Sequence, residues 1–276
     1  MTHHPVLGKI GVWIGGPPAI ELARGLDLLG FGTIWVGGSP GGDLDGVERT
    51  LAATARIAVA TGIVNIWKDD PATIAASYHR LAGRFPGRFF LGVGAGHPEE
   101  TSQYATPYEA LVRYLDALDV GGVPQTDRIL AALGPKVLRL AADRTAGAHP
   151  YLVTPEHTRR ARSLLGTEVL LAPEQHAVLD RDLTRARELA RTALRLTQTN
   201  YTNNWRRLGF TDDDIAGPGS DRLVENLVAL GDAGQVSVRI TEHLDAGADH
   251  VCIQLIAPDG VDLLPGFADL AAVLLS

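Results

Sequence analysis

Short apolar runs recur eight times along this chain, and helix-periodic stretches separate them. The runs lie at residues 9–14, 33–36, 59–66, 89–93, 128–133, 149–151, 168–171 and 250–256. Most carry no polar alternation, so they read as strands covered on both faces, the signature of a parallel sheet. Between them, residues 18–29, 46–58, 71–82, 107–118, 135–144, 154–166, 181–196, 221–230 and 236–246 have helical spacing. Thr154-Pro155-Glu156 is a complete helix start, with a capping threonine, proline at the first helical position and an acid next. Residues 200–219 read as polar and irregular. A doubly wound open sheet would also alternate strand and helix, but eight strands without a disordered linker favour a (β/α)8 TIM barrel. A barrel of 276 residues is expected to be one domain, 1–276.

Hydrophobic residues make up 45% of the chain, enough for a barrel core. Cys252 is the one cysteine, which excludes an internal disulfide and fits a reducing cytoplasm. No apolar run is long enough to span a bilayer, and the first eight residues lack a signal-peptide layout, so a cytoplasmic protein without a membrane partner is expected. The net charge of −7, with no basic block, argues against nucleic acid. No H-E-x-x-H or Cys/His cluster suggests a metal site. No G-x-S-x-G elbow is present and Cys252 sits in a buried run, which disfavours a nucleophilic hydrolase.

In a barrel the chemistry lies just after each strand. Those positions hold Trp13, the Gly37-Gly38-Ser39 turn, Asn65 and Trp67, then Gly94 to His97, and the Ala132-Leu133-Gly134-Pro135-Lys136 junction. Further on are His149, Tyr151, Glu174 and Gln254. Glycines at 94 and 96 let the loop lie close to a flat group, and His97 is the titratable side chain there, with Pro98 fixing the chain beyond it. At Gly134-Pro135-Lys136 a side-chain-free helix start, its positive dipole end and a lysine fit a phosphate. An ordinary strand-to-helix turn would look the same. Glu174 reads equally as a cap of the helix after strand seven.

Seven stretches carry a family likeness: residues 59–67 (VATGIVNIW), 85–94 (FPGRFFLGVG), 130–136 (LAALGPK), 146–152 (AGAHPYL), 171–175 (LAPEQ), 200–204 (NYTNN) and 244–251 (LDAGADHV). Together they resemble the luciferase-like monooxygenase superfamily, particularly its deazaflavin (coenzyme F420)-dependent oxidoreductases. The resemblance implies a hydride-transferring barrel whose third strand bulges under a cofactor ring, with a cis peptide at Gly62-Ile63. On that footing Gly62, Ile63, Asn65, Trp67, Gly94, Ala95, Gly96, His97, Ala132, Leu133, Gly134, Pro135, Lys136, His149 and Tyr151 are expected at the cofactor. His97 and Asn65 are the catalytic candidates, and Trp13, Ser39 and Glu174 the substrate candidates. The sugar-phosphate dehydrogenases of the superfamily carry an Asp-His pair after strand two and an acid after the strand-four glycines. Gly38-Ser39 and His97 stand there instead, so sugar-phosphate oxidation does not carry over. An FMN-dependent monooxygenase using dioxygen, or a non-catalytic flavin-binding protein, fits the same likeness. The substrate is expected to be a small molecule and the assembly a homodimer.

Overall fold

The computed structural model describes residues 7–97 and 107–276; Pro98 lies outside them. The chain alternates as its apolar runs require. In order come β1 (Ile10–Ile14), α1 (Ile20–Leu29), β2 (Thr33–Val36), α2 (Asp45–Ala53), β3 (Ala58–Thr61), β4 (Val64–Asn65), α3 (Pro71–Arg84) and β5 (Phe89–Gly94). Then follow α4 (Pro107–Val120), β6 (Arg128–Leu130), α5 (Pro135–Arg144), β7 (Gly147–Ala148), α6 (Pro155–Leu165), β8 (Leu170–Leu171) and β9 (Glu174–Leu179). The last part holds α7 (Leu183–Ala193), α8 (Thr199–Arg207), α9 (Asp212–Ile215), α10 (Asp221–Leu227), β10 (Val228–Gly231), α11 (Ala233–Asp245), β11 (Val251–Leu255) and α12 (Leu264–Leu274).

All strand pairs among the described residues are parallel, in the order β10-β9-β11-β1-β2-β3-β5-β6-β7-β8. β8 and β9 are one strand bent at Ala172-Pro173. Its first half pairs with β7 and its second with β11, which closes a (β/α)8 barrel. β3 and β4 are likewise one strand, interrupted by the cis peptide Gly62-Ile63 where the bulge was expected. Each strand turns one set of apolar side chains to the surrounding helices, as with Val59, Leu91 and Ile253, while Trp35, Phe90 and Cys252 fill the barrel itself. Thr154 caps α6 by accepting from the His157 N–H (3.3 Å), as its sequence predicts.

Four readings of the chain need correction. Residues 200–207 are helical: α8 is amphipathic, burying Tyr201 and Trp205 four residues apart, and its three asparagines gave it a loop-like composition. Residues 228–231 form β10, because Val228 to Gly231 pairs with β9 directly after α10 with no turn residue to announce the change. Glu174 is no helix cap; it opens β9, whose polar residues concealed a strand. The fifth barrel strand ends at Leu130, and the chain ends in a further helix, α12, that the apolar periods above do not include.

Candidate active site

The carboxyl ends of the strands surround a cavity of about 460 Å³. Its inner wall is set by backbone on one side. A Cβ at Gly37 would overlap the Trp13 indole, and one at Gly62 would stand 2.8 Å from Trp13 Nε1 and 3.5 Å from His149 Nε2. The indole of Trp13 therefore lies across two strands that have no side chain at those points. Its Nε1–H is buried without an acceptor. His149 stacks on Trp35 (centroids 4.1 Å, 13°), and its Nδ1–H donates to the Ala172 carbonyl (2.8 Å). Nε2 is thereby an acceptor, buried without a donor. Burial, partly offset by the Ala172 bond, holds the His149 pKa down to about 4, so the ring is neutral at pH 7. A buried donor and a buried acceptor thus meet at the Gly62 bulge, each lacking its complement among the described residues.

The outer end is cationic. Gly134 caps α5 without a side-chain bond, Pro135 has no N–H, and the Lys136 N–H has no backbone acceptor. Arg207, at the end of α8, lies over this turn, its Nη2 3.8 Å from where a Gly134 Cβ would be. Lys136, Arg195 and Arg207 line the cavity, and none has a carboxylate within ion-pair distance among the described residues. No aspartate or glutamate lines it among those residues either. Helix α8 roofs the space: the Asn200 amide donates to the Gly96 carbonyl (3.0 Å), and Tyr201 lies between His97 (4.7 Å) and Tyr151 (5.8 Å).

Residues 6–120 match the family model of the luciferase-like monooxygenases. Over that stretch, somewhat under half of its length, the chain is similar to the luciferase-like monooxygenases. Against a curated relative, the 4-hydroxyprotoasukamycin monooxygenase of Streptomyces nodosus subsp. asukaensis, it is 32% identical over 110 residues. That match spans 37% of this chain and 30% of the relative. Solved structures match over almost the whole length. An F420-dependent secondary alcohol dehydrogenase in complex with an F420-acetone adduct has a TM-score of 0.75 at 16% identity, over 97% of this chain and 98% of that one. The coenzyme F420-dependent tetrahydromethanopterin reductase of Methanopyrus kandleri scores 0.69 at 16% identity, over 95% and 97%. The FMN-bound oxygenating constituent of 3,6-diketocamphane monooxygenase from Pseudomonas putida scores 0.66 at 16%, over 96% of both. At these identities the likeness is one of fold.

Within this barrel most of the expected residues converge. Trp13, Ser39, Gly62, Ile63, Ala95, Gly96, His97, Ala132, Leu133, Gly134, Lys136, His149 and Tyr151 all line the one cavity. Five lie behind its wall. Asn65 is buried, its Oδ1 accepting from the Trp67 N–H (3.0 Å), and Trp67 Nε1–H donates to the Ala95 carbonyl (2.8 Å). These two hold the strand-four loop from beneath, and Asn65 does not line the cavity. Gly94 is covered by Ile63 and Ala131, Pro135 faces outward, and Glu174 is wholly buried beneath Tyr151, away from the substrate space where it was expected. The sequence reading missed Arg195, Gln198, Asn200, Tyr201, Asn203 and Arg207, which reach the cavity from the α7–α8 segment. The i, i+4 spacing of Tyr201 and Trp205 was the available signal.

Proposed function

We propose that this protein is an oxidoreductase that binds the deazaflavin coenzyme F420 and passes hydride between it and a small organic substrate. The observation that carries the reading is one cavity with a flat indole and imidazole wall at its inner end and, at its outer end, a cationic rim without acids among the described residues. The unmatched Nε1–H of Trp13 and Nε2 of His149 suit the mixed donor and acceptor edge of a flavin-like ring. The Lys136 N–H, the start of α5 and Arg207 suit a phosphate. When bound, the cofactor would supply or receive the hydride. The chain would hold the ring between Trp13 and Ile63, exclude water with α8, and offer the His97 imidazole for a proton. Three cations exceed what one terminal phosphate needs, which favours the longer, more anionic deazaflavin over FMN.

The monooxygenase match keeps an FMN- and dioxygen-using enzyme as the second reading. Titration of the purified protein with each cofactor, followed by fluorescence quenching, separates them. Tight binding of F420 with FMN at least about tenfold weaker, a gap of roughly 1.4 kcal/mol, supports the proposal. The reverse order defeats it. Leu28 on α1, 80% exposed, supports the further proposal of a homodimer, to be checked by light scattering.

A further inference from the structure

Tyr151 reaches the cavity from an unusual backbone. The next residue, Leu152, is a buried leucine with φ of 53°, in the left-handed region that side chains other than glycine seldom occupy. Such a conformation persists where its surroundings over-determine it. Two fully buried side chains do so here. The Glu174 carboxylate Oε2 accepts from the Leu152 N–H (3.2 Å), and Trp205 Nε1–H of α8 donates to the Leu152 carbonyl (3.1 Å). The second Glu174 oxygen accepts from His176 Nδ1 (2.5 Å), whose ring meets Tyr151 edge-on (5.3 Å). Tyr151 is completed by its own O–H, which donates to Gln254 Oε1 (2.7 Å).

We propose that Glu174 is a positioning residue: with Trp205 it clamps Leu152 in the left-handed conformation and so holds Tyr151 as a wall of the cavity. Its carboxylate does not touch the ligand. It braces Leu152 through its backbone N–H and Tyr151 through His176, and Trp205 ties the next peptide, at the Leu152 carbonyl, to the roof. The inference rests on the cavity being the cofactor site proposed above.

Reach and charge can be varied separately. Glu174→Gln keeps the length of the side chain and loses the charge; Glu174→Asp keeps the charge and loses one methylene of reach. Both, and Glu174→Asp in a Leu152→Gly background, are measured as full-length protein with FMN and F420 as probes and by near-ultraviolet circular dichroism of the Trp13–Tyr151 pair. Clamping predicts that Glu174→Gln binds the preferred probe within about threefold of the parent, and Glu174→Asp about tenfold or more weakly, the scale of one lost charge-assisted hydrogen bond. In the Leu152→Gly background the Glu174→Asp loss shrinks, because glycine adopts positive φ unaided. The opposite order, with aspartate tolerated and glutamine not, overturns the proposal in favour of a charge or proton role. Equal aspartate penalties in both backgrounds overturn it too, as does a lowered thermal midpoint with affinity and dichroism unchanged. If neither cofactor binds the parent protein, the functional reading fails while the dichroism still decides the clamp: Glu174→Gln retaining the signal and Glu174→Asp losing it supports it, and any other pattern overturns it.

Discussion

The two halves of the barrel mouth are built on opposite principles. Along β2, β3 and β5 the wall is backbone: Gly37 and Gly62 stand where inward side chains would be, with Trp13 against them, and Gly94 lies behind it under Ile63 and Ala131. Along β7, β9 and β11 the wall is side chain: His149, Tyr151, Glu174, His176 and Gln254 are fixed by hydrogen bonds and ring contacts. The first half is intolerant of any added atom, because a close-packed contact has no room to yield. The second half is sensitive to a shortened reach, because a buried polar group without its partner is costly. One site therefore combines a rigid floor with a polar wall that can be titrated.

His97 is the exception on the glycine side, since its role depends on a proton. If it serves as the acid of the reaction, His97→Gln should lower turnover by about 10²–10⁴-fold with modest change in cofactor affinity. Turnover and affinity both within about threefold of the parent would leave His97 as a loop-shaping residue.

The side-chain half should show its dependence on pH in stability. Burial lowers His149 and His250 to about 4, against an ordinary value of 6.5, and lowers His157 to about 4 and His243 to about 3 in the layers outside. The unfolded chain binds more protons than the native one between those values, so stability falls as the pH drops through about 6.5 towards 4. Denaturant midpoints between pH 7.5 and 4.5 should show a loss on the order of a few kcal/mol. His149→Gln should flatten the curve, and an unchanged slope would break the assignment of a neutral buried ring.

On the backbone half, Gly37→Ala should cost roughly 1–3 kcal/mol by overpacking against Trp13. Combined with Trp13→Ala, the penalty for the Gly37 change should largely vanish. Additive losses in urea unfolding would mean that the indole does not rest on that strand. The smallest effects concern the outer rim. Gly134→Asp should weaken cofactor binding by about tenfold, a matter of 1.4 kcal/mol, by placing a carboxylate against the anion. Lys136→Ala should weaken it less, since the start of α5 remains. Equal titrations for parent and Gly134→Asp would move the phosphate elsewhere.

The two halves also differed in how far they could be read in advance. Glycines at strand ends are visible in any sequence, and they led directly to Gly94, Gly96 and His97, whereas Gly62 came from the family resemblance. The strand-five junction was equally plain, because glycine, proline and lysine at a helix start have a local meaning. Asn65 lies behind the cavity wall: its carboxamide oxygen turns back to the Trp67 N–H, a direction that the residue type does not reveal. Arg207 is 73 residues from Gly134 in sequence, and its arrival over that turn depends on where α8 packs.

From the sequence by itself came the count of strands, their parallel burial and the loops that carry chemistry, because apolar period and turn residues are local properties of the chain. The tertiary structure alone decided which polar groups are matched. It put Glu174 under the Leu152 peptide, left Trp13 Nε1 and His149 Nε2 facing one bulge, and brought α8 over the cavity as its roof. Those are relations between segments far apart in the chain. They follow from how the barrel closes at Ala172-Pro173 and how the α7–α8 segment folds back across its mouth, which no single stretch of residues encodes.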